Sequence, residues 1–273
     1  MPRDVGWVTE RLLVGGTTVS CRRSTVGGGV PIVHIPGFAI AGGYLMPTAR
    51  VLARRWVNVV PDLPGYGHSQ RRERVLGIPA LAEALLAVLD ELGVDQAVLL
   101  GNSMGCPVAL EVAHAAPERV HRLVLVSPAG GVQNQPLARA FGQLGKDMFL
   151  ESPRMLPVAL PDYVRFGPIN GLRLFGELTR YPSLERLVHT PVPTLAVLGA
   201  RDPLIPSADR VREVAGLARE QLAVAVIDQA AHAVNFSHPT ELAGTVETWL
   251  DDPRAESAPL PDGVRLFPAP GAG

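Results

Sequence analysis

Short apolar runs alternate with longer stretches of helical periodicity along most of this chain. Six of these runs are rich in β-branched residues and leucine, as is typical of strands that are buried on both faces of a sheet. Because the intervening segments repeat apolar residues at helical spacing, the pattern favours a parallel sheet covered by helices on both faces. The predicted strands are 30–35, 57–60, 97–100, 123–126, 193–198 and 223–227, and the clearest predicted helices are 78–92, 207–217 and 239–250.

Length and composition agree with one large α/β domain that carries an insertion. The chain has 273 residues, of which 47% are hydrophobic and 19% are charged, the reverse of a disordered composition. Its 25 Lys and Arg residues are balanced by 26 Asp and Glu residues, so no net field attracts phosphate backbones or anionic lipid. We therefore expect a small-molecule partner and no nucleic acid, while the oligomeric state stays open.

Cysteine usage and the apolar runs bear on the cellular compartment. The two cysteines, Cys21 and Cys106, form neither a disulfide framework nor a Cys/His cluster that would bind a metal. The first residues include an acid and no long apolar run, unlike a signal peptide, and no stretch reaches the ~18 apolar residues of a membrane span. These features predict a cytoplasmic protein without integral membrane association.

Residues 130–190 interrupt the alternation of strands and helices. No strand signal occurs there, and a structureless loop of that length is improbable in a compact domain, so we predict an inserted helical cap. From 252 to 273 Pro, Ala and Gly prevail, which predicts a disordered tail. The remaining residues, 1–129 and 191–251, are predicted to form the core.

Residues 101–105 read Gly-Asn-Ser-Met-Gly and follow a predicted buried strand. The Gly-x-Ser-x-Gly motif arises readily by chance, but a strand before it and a helix after it indicate a sharp turn that strains the serine backbone. The helix N-terminus then faces the serine oxygen, and the Met104 amide can donate to a developing oxyanion. Ser103 is therefore the predicted nucleophile, with an ordinary Gly-rich turn as the alternative.

Residues 34–38, His-Ile-Pro-Gly-Phe, end an early strand at the same edge of the sheet. Pro36 and Gly37 permit the chain to turn away there. Because proline lacks an N–H group and the glycine is needed for conformation, the Phe38 amide is the predicted second oxyanion donor, with the Ala39 amide as the alternative. We expect His34 to be a structural histidine that holds this loop.

A serine hydroxyl needs a general base at neutral pH, and the base needs an orienting acid. Asp202 follows the predicted strand 193–198 and so lies at the carboxyl edge of the sheet, where it is the predicted acid. His232 lies in the loop after the last predicted strand and is the predicted base. Asp228 remains the alternative acid, and His238, which precedes a helix, is a weaker rival for the base.

In order and spacing, these motifs and the segment 61–69, Pro-Asp-Leu-Pro-Gly-Tyr-Gly-His-Ser, closely resemble the α/β-hydrolase superfamily. The resemblance covers about residues 5 to 251. It implies the α/β-hydrolase fold, with a mostly parallel sheet of the eight-stranded type, helices on both faces and an inserted cap. It further implies a carboxylesterase-like serine hydrolase that forms an acyl-enzyme on Ser103 and uses no cofactor and no metal. Haloalkane dehalogenases and epoxide hydrolases carry an aspartate in place of Ser103, so the resemblance does not extend to their chemistry.

Two other functions remain open on the same fold. The sharp turn at residues 101–105, called the elbow below, is similar to that of hydrolases that cleave carbon-carbon bonds in aromatic ring-cleavage products. Those enzymes usually have a longer Gly-rich oxyanion loop and a Trp after the catalytic histidine, whereas this chain has Ile35, Pro36 and Ala233. Ester or related acyl hydrolysis is therefore the favoured hypothesis. A ligand-binding protein without turnover is the third hypothesis. The predicted triad of Ser103, Asp202 and His232 argues against it.

The insertion follows the predicted strand 123–126 and so emerges at the edge where ligands bind in such sheets. We expect a mobile lid that covers the triad and whose inner face sets substrate choice. Its apolar residues exceed what a small helical hairpin needs, which indicates a largely apolar substrate. The candidate pocket residues are Phe141, Met148, Tyr163 and Phe166. For each of them, packing of the cap on the sheet is the alternative role.

Overall fold

One mixed sheet organises the molecule. The structure, a computed structural model, describes residues 6–129, 142, 150–205, 216, 222–253 and 259–267. The strands are β1 (Trp7–Val14), β2 (Thr17–Ser24), β3 (Gly28–Ile35), β4 (Trp56–Pro61), β5 (Ala97–Asn102), β6 (Val120–Val126), β7 (Thr194–Gly199), β8 (Leu222–Ile227) and β9 (Val264–Phe267). They form a nine-stranded sheet in the order β1-β2-β4-β3-β5-β6-β7-β8-β9.

The six central strands, from β4 to β8 in the sheet, run parallel. Each predicted strand overlaps one of them, which confirms the parallel sheet. Every residue of β5, β7 and β8 is buried, so polar and apolar residues do not alternate in these strands. The carboxyl ends of the parallel strands therefore meet at one edge, where the loops after β3, β5, β7 and β8 come together.

Helices cover both faces of this sheet. On one face the helix α2 (Ile78–Glu91) contributes Leu81 and Leu85 to a buried cluster, and on the other the helix α8 (Pro239–Asp251) contributes Val246 and Trp249. Each fully buried aliphatic or aromatic side chain of this kind contributes about 1.5–3 kcal/mol. The helices are α1 (Met46–Leu52), α2 (Ile78–Glu91), α3 (Gly105–Ala115), α4 (Leu156–Phe166), α5 (Pro168–Leu178), α6 (Ser183–Val188), α7 (Val234–Ser237) and α8 (Pro239–Asp251), with single 3-10 turns at Gly42–Leu45, Pro117–Arg119 and Pro153–Met155.

The helix predictions have different outcomes. The predicted helices 78–92 and 239–250 correspond to α2 and α8, and Gly93 adopts the left-handed conformation (φ 63°) that ends α2. The predicted helix 207–217 lies outside the described residues apart from residue 216. In the described ranges, none of the helices has the length and apolar character that crossing a bilayer requires.

The tail prediction is wrong for the four residues of β9, which pair antiparallel with β8. Val-Arg-Leu-Phe is a short run with high strand propensity, and it covers the backbone edge that β8 would otherwise expose. An ion pair between Arg265 and Asp228, 3.0 Å long, lies at the same edge. This strand is the ninth of a sheet that we expected to have eight. Residues 254–258 and 268–273 lie outside the described residues.

Between β6 and β7 the described residues include short helices joined by turns, and the bounds 130–190 of the cap stay a prediction. They comprise the 3-10 turn at Pro153–Met155, α4, α5 and α6. Residues 130–141 and 143–149 lie outside the described residues. We refer to residues 150–190 as the cap helices.

Candidate active site

The turn between β5 and α3 is a sharp elbow with Ser103 at its tip. Ser103 has a φ of 55°, in the left-handed region that a residue with a side chain adopts at a cost of about 1–3 kcal/mol. Of residues 101–105 only Ser103 is not fully buried. Its amide donates to the carbonyl of Val126 at the end of β6, and its carbonyl accepts from the Cys106 amide (3.0 Å each). The strained turn therefore presents the serine side chain at the edge of the sheet, as predicted.

The two glycines of the motif allow backbones to approach where no side chain fits. A Cβ atom on Gly105 would lie 2.3 Å from the carbonyl oxygen of Ile35 at the end of β3. A Cβ atom on Gly101 would lie 2.5 Å from the carbonyl oxygen of Gly105. Both distances are shorter than any real non-bonded carbon-oxygen contact. A larger residue at position 105 would push the turn away from β3, and one at position 101 would push the start of α3 away from β5.

The loop after β3, which contains residues 36–39 and is called the oxyanion loop below, lies directly against the nucleophile. A Cβ atom on Gly37 would lie 3.3 Å from the Cβ atom of Ser103, which places the Pro36 to Phe38 backbone beside the serine. Within the described ranges, no acceptor pairs with the amide of Phe38 or of Met104. These are the two amides that the sequence predicts as oxyanion donors. The alternative donor, Ala39, has a φ of 57°.

Asp202 and His232 meet at the same edge. The Nδ1 atom of His232 lies 2.7 Å from Oδ2 of Asp202, while Oδ1 of Asp202 accepts the Leu204 amide at 2.8 Å. The carboxyl side chain is fully buried and the imidazole is 12% exposed. Burial by itself would raise the pKa of Asp202, but the charge and hydrogen bond of His232 and the Leu204 amide hold that pKa below its ordinary value. Asp202 is therefore an ionised partner that fixes the histidine tautomer and orientation.

Backbone contacts hold the loop after β7, which carries Asp202 (the acid loop), against the loop after β8, which carries His232 (the histidine loop). The Ala200 and Arg201 amides donate to the carbonyls of Ile227 (3.0 Å) and Ala230 (2.9 Å). A Cβ atom on Gly199 would lie 2.4 Å from the carbonyl oxygen of Ala231, so only glycine permits this approach. The pairing of Asp202 with His232 thus rests on two loops that share a backbone interface.

The two alternatives for acid and base make other contacts. Asp228, which is close to His232 in sequence, forms its ion pair with Arg265 of β9. His238 lies at the start of α8, and its Nδ1 atom is 2.9 Å from the Ser237 hydroxyl. Because Nδ1 of His232 faces Asp202, the geometry favours the Asp202 and His232 pair.

His34 is fully buried near the carboxyl end of β3 and does not contact the triad candidates. Its Nε2 atom donates to Oδ1 of Asn58 on β4 at 2.7 Å. Burial lowers the pKa of His34 to about 4, although the hydrogen bond to Asn58 opposes this shift. The ring is therefore neutral at neutral pH, and it ties β3 to the neighbouring strand rather than to the loop that follows.

Sequence reasoning missed a buried polar network around Asn102. The Gly37 amide donates to the Tyr44 hydroxyl at 2.8 Å, and that hydroxyl donates to Oδ1 of Asn102 at 2.7 Å. The Nδ2 group of Asn102 donates in turn to the carbonyls of Val126 (3.2 Å) and His232 (3.3 Å). The amide at the second position of the motif was a signal that could have revealed Asn102. Tyr44 carries no such signal, because its partners are remote in sequence.

Three carboxylates of the cap helices form hydrogen bonds with backbone amides of the core. The carboxylates of Glu151, Asp162 and Glu177 accept hydrogen bonds from the backbone amides of Ala233 (2.6 Å), Ala41 (2.9 Å) and Ile78 (2.7 Å), respectively. These three contacts reach the histidine loop, the segment after the oxyanion loop and the N-terminus of α2. The cap helices are thereby anchored around the candidate site.

Aromatic side chains of α4 and α5 pack on the oxyanion loop. The Phe38 ring contacts Phe166 and Phe175 with centroid distances of 6.1 and 5.7 Å, and Phe166 also contacts Tyr66 at 5.1 Å. Among the predicted pocket residues, Phe166 is 7% exposed and Tyr163 is 43% exposed. Phe141 and Met148 lie outside the described residues.

Fold and site together define an α/β-hydrolase. Residues 30–166 match the α/β-hydrolase fold family, and the chain belongs to that family. It is 30% identical over 241 residues, 78% of this chain and 91% of the relative, to a pimeloyl-(acyl-carrier protein) methyl ester esterase of Pectobacterium carotovorum.

Other similar proteins have different stated activities. The chain is 28% identical over 226 residues, 74% of its length, to a dihydrolipoyllysine-residue acetyltransferase component of an acetoin cleaving system of Pseudomonas putida. It spans only 60% of the length of that relative. A solved thermophilic esterase from Thermogutta terrifontis has a TM-score of 0.74 at 22% identity, with 89% of this chain and 98% of that chain covered, and shares the fold.

Proposed function

We propose that this α/β-hydrolase is a serine hydrolase that cleaves an ester or related acyl bond of a small, largely apolar substrate through an acyl-enzyme on Ser103. The observation that carries the proposal is the 2.7 Å contact between His232 and the buried Asp202, at the edge where the strained elbow exposes Ser103. The methyl ester esterase among the relatives supports the ester class.

In the proposed acylation step, the Ser103 oxygen attacks the carbonyl carbon while its proton passes to Nε2 of His232. Asp202 stabilises the imidazolium that forms, because its carboxylate stays ionised. The carbonyl oxygen becomes an oxyanion that accepts hydrogen bonds from the Phe38 and Met104 amides. His232 then returns the proton to the leaving alcohol, which departs and leaves the acyl group on Ser103.

Deacylation repeats the sequence with water as the nucleophile. His232 accepts a proton from the water as the water oxygen adds to the acyl carbon. It then returns this proton to the Ser103 oxygen, which leaves the acyl carbon as the carboxylic acid is released. Another acyl acceptor, such as an alcohol or a thiol, in place of water would give transfer instead of hydrolysis, and acetyl transfer is the activity named for two of the relatives. These steps use only side chains and backbone amides, so we expect activity to persist after exhaustive chelation. The cytoplasmic location stays a prediction.

The surroundings of the proposed oxyanion donor support the proposal of an apolar substrate. Phe38 bears the donor amide, and its ring packs against Phe166 and Phe175 of the cap helices. An acyl group placed against these rings would be apolar rather than charged, because a charge there would lose its hydration.

A p-nitrophenyl ester series of graded acyl length tests the proposal. We expect hydrolysis with a distinct chain-length optimum and with products of one carboxylic acid and one phenol per turnover. Repeating the assay with an added short-chain alcohol measures the share of transfer through the ester that it forms. Absence of turnover across the series, with an intact fold, would contradict acyl hydrolysis. Turnover of a vinylogous diketone from aromatic ring cleavage, but of no ester, would favour carbon-carbon bond hydrolysis.

A further inference from the structure

A single hydrogen-bonded chain joins three of the four loops of the candidate active site, those after β3, β5 and β8. It runs from the Gly37 amide to the Tyr44 hydroxyl (2.8 Å), from that hydroxyl to Oδ1 of Asn102 (2.7 Å), and from Nδ2 of Asn102 to the His232 carbonyl (3.3 Å). Gly37 precedes Phe38, Asn102 precedes Ser103, and His232 is itself the last member. Each loop is therefore held at, or one residue from, the group that it contributes to the proposed chemistry.

The chain is protected from water. Tyr44 is 1% exposed and Asn102 is 2% exposed, so solvent cannot replace either hydrogen-bonding group. Burial raises the pKa of the Tyr44 phenol well above its ordinary value, which keeps the hydroxyl protonated and able to accept from Gly37 while donating to Asn102. A fourth bond, from Asn102 to the Val126 carbonyl, ties the chain to the end of β6.

The network also explains the glycine at position 37. A Cβ atom there would lie 3.1 Å from the Tyr44 hydroxyl oxygen and 3.3 Å from Cβ of Ser103. The loop thus packs against the Tyr44 hydroxyl and the Ser103 side chain at the same time. The hydroxyl fixes the distance between this loop and the nucleophile. A small displacement of this loop would move the Phe38 amide away from the oxyanion.

We propose that Tyr44 and Asn102 are positioning residues, which hold the oxyanion loop, the elbow and the histidine loop in the geometry that acyl transfer requires. This inference rests on the proposed function of Ser103. Neither residue exchanges a proton with the substrate. Their effect is exerted through the Phe38 amide on one side and the backbone of His232 on the other.

Tyr44→Phe is the direct test, because it removes one oxygen and leaves the ring in place. We expect kcat to fall about 10- to 100-fold with KM little changed, since misplaced donors weaken binding of the transition state and not of the ester. A trifluoromethyl ketone provides the second readout. Ser103 adds to its carbonyl carbon, the serine proton passes to His232, and the alkoxide occupies the oxyanion site. Its inhibition constant should rise by the same factor as kcat/KM falls.

Tyr181→Phe is the matched control. Tyr181 is also buried, and its hydroxyl shares its proton between the carboxylate of Glu111 (2.8 Å) and the carbonyl of Pro107 (3.3 Å) in α3, neither of which belongs to the chain through Tyr44 and Asn102. Both variants should lose a similar amount of thermal stability, but only Tyr44→Phe should change kcat and the ketone affinity. Equal kinetics of the two variants would overturn the proposal.

Asn102→Ser and the double variant keep the test decisive if Tyr44→Phe folds poorly. Because both side chains act through one network, the kcat losses of Tyr44→Phe and Asn102→Ser should combine to less than their product. Fully multiplicative losses, or an Asn102→Ser enzyme with native ketone affinity, would also overturn the proposal. Turnover that survives Ser103→Ala would instead refute the proposed function, whereas Ser103-dependent turnover with a silent Tyr44→Phe would refute only this inference.

Discussion

Nδ1 of His232 and Oδ2 of Asp202 are 2.7 Å apart, although the two residues follow different strands and are 30 positions apart in sequence. Their strands, β7 and β8, are neighbours and run parallel, so both residues emerge at the same edge of the sheet. Asp202 receives a second hydrogen bond from the Leu204 amide, which leaves Oδ2 to face the imidazole. The histidine is thereby held with Nδ1 donating to Asp202, so Nε2 is the nitrogen that accepts the serine proton in the proposed mechanism.

Asp202→Asn should lower kcat about 10³- to 10⁴-fold, because an amide neither stabilises an imidazolium nor enforces the required tautomer. Asp228→Asn is the matched control, since Asp228 forms its ion pair with Arg265 on β9. Steady-state kinetics on one p-nitrophenyl ester would measure both variants. A fully active Asp202→Asn enzyme together with an impaired Asp228→Asn enzyme would reverse the assignment.

His34 should make the folded state less stable as the pH falls. Its pKa is about 4 in the folded protein and about 6.5 when unfolded, so between these values the unfolded chain binds a proton that the folded chain does not. The contribution of His34 to the free energy of unfolding is therefore unreduced above pH 6.5 and declines below it. At pH 4 the loss is about 3 kcal/mol. Urea unfolding of the wild type and of His34→Gln over this range measures the difference. Parallel pH profiles for the two proteins would contradict the prediction.

The cap residues should set substrate preference. Phe166→Ala would open space beside Phe38. We expect the ratio of kcat/KM for a bulky acyl group to kcat/KM for a small one to rise about tenfold. Tyr163, and Phe141 and Met148 outside the described residues, are predicted to shift the optimum as well. Leu13→Ala is the control, because Leu13 is equally apolar but 64% exposed on the edge strand β1. A chain-length profile that none of the four substitutions moves would refute a role of the cap in specificity.

The parallel sheet could be predicted because burial on both faces leaves long unbroken apolar runs. The strands missed were those at the sheet edges. The alternation of β1 and the polar residues of β2 gave no buried run, although Gly15 and Gly16, both with positive φ, mark the turn between them. The strand β9 was hidden in a tail rich in Pro and Gly, and it is stabilised by pairing with β8, a long-range effect that local composition does not report.

The triad candidates could be predicted because each has a local signal, namely a motif or the end of a strand. The supporting contacts had none. Tyr44 meets Asn102 across 58 positions, and Glu151 meets the Ala233 amide across 82. Such pairs depend on how loops from separate strands pack together, which periodicity and motif spacing do not encode.

Covalent labelling with a fluorophosphonate, read out by peptide mass spectrometry, tests the central claim most directly. An activated serine oxygen displaces fluoride from phosphorus and leaves a stable phosphonyl adduct, so the modified residue identifies the nucleophile. We predict one adduct, on Ser103, formed in step with loss of esterase activity. It should be absent from Ser103→Ala and retained in Ser237→Ala, whose hydroxyl donates to the Ala233 carbonyl at the start of its own helix and lies 2.9 Å from Nδ1 of His238. No adduct on the folded protein, or an adduct and turnover that persist in Ser103→Ala, would contradict the assignment of Ser103.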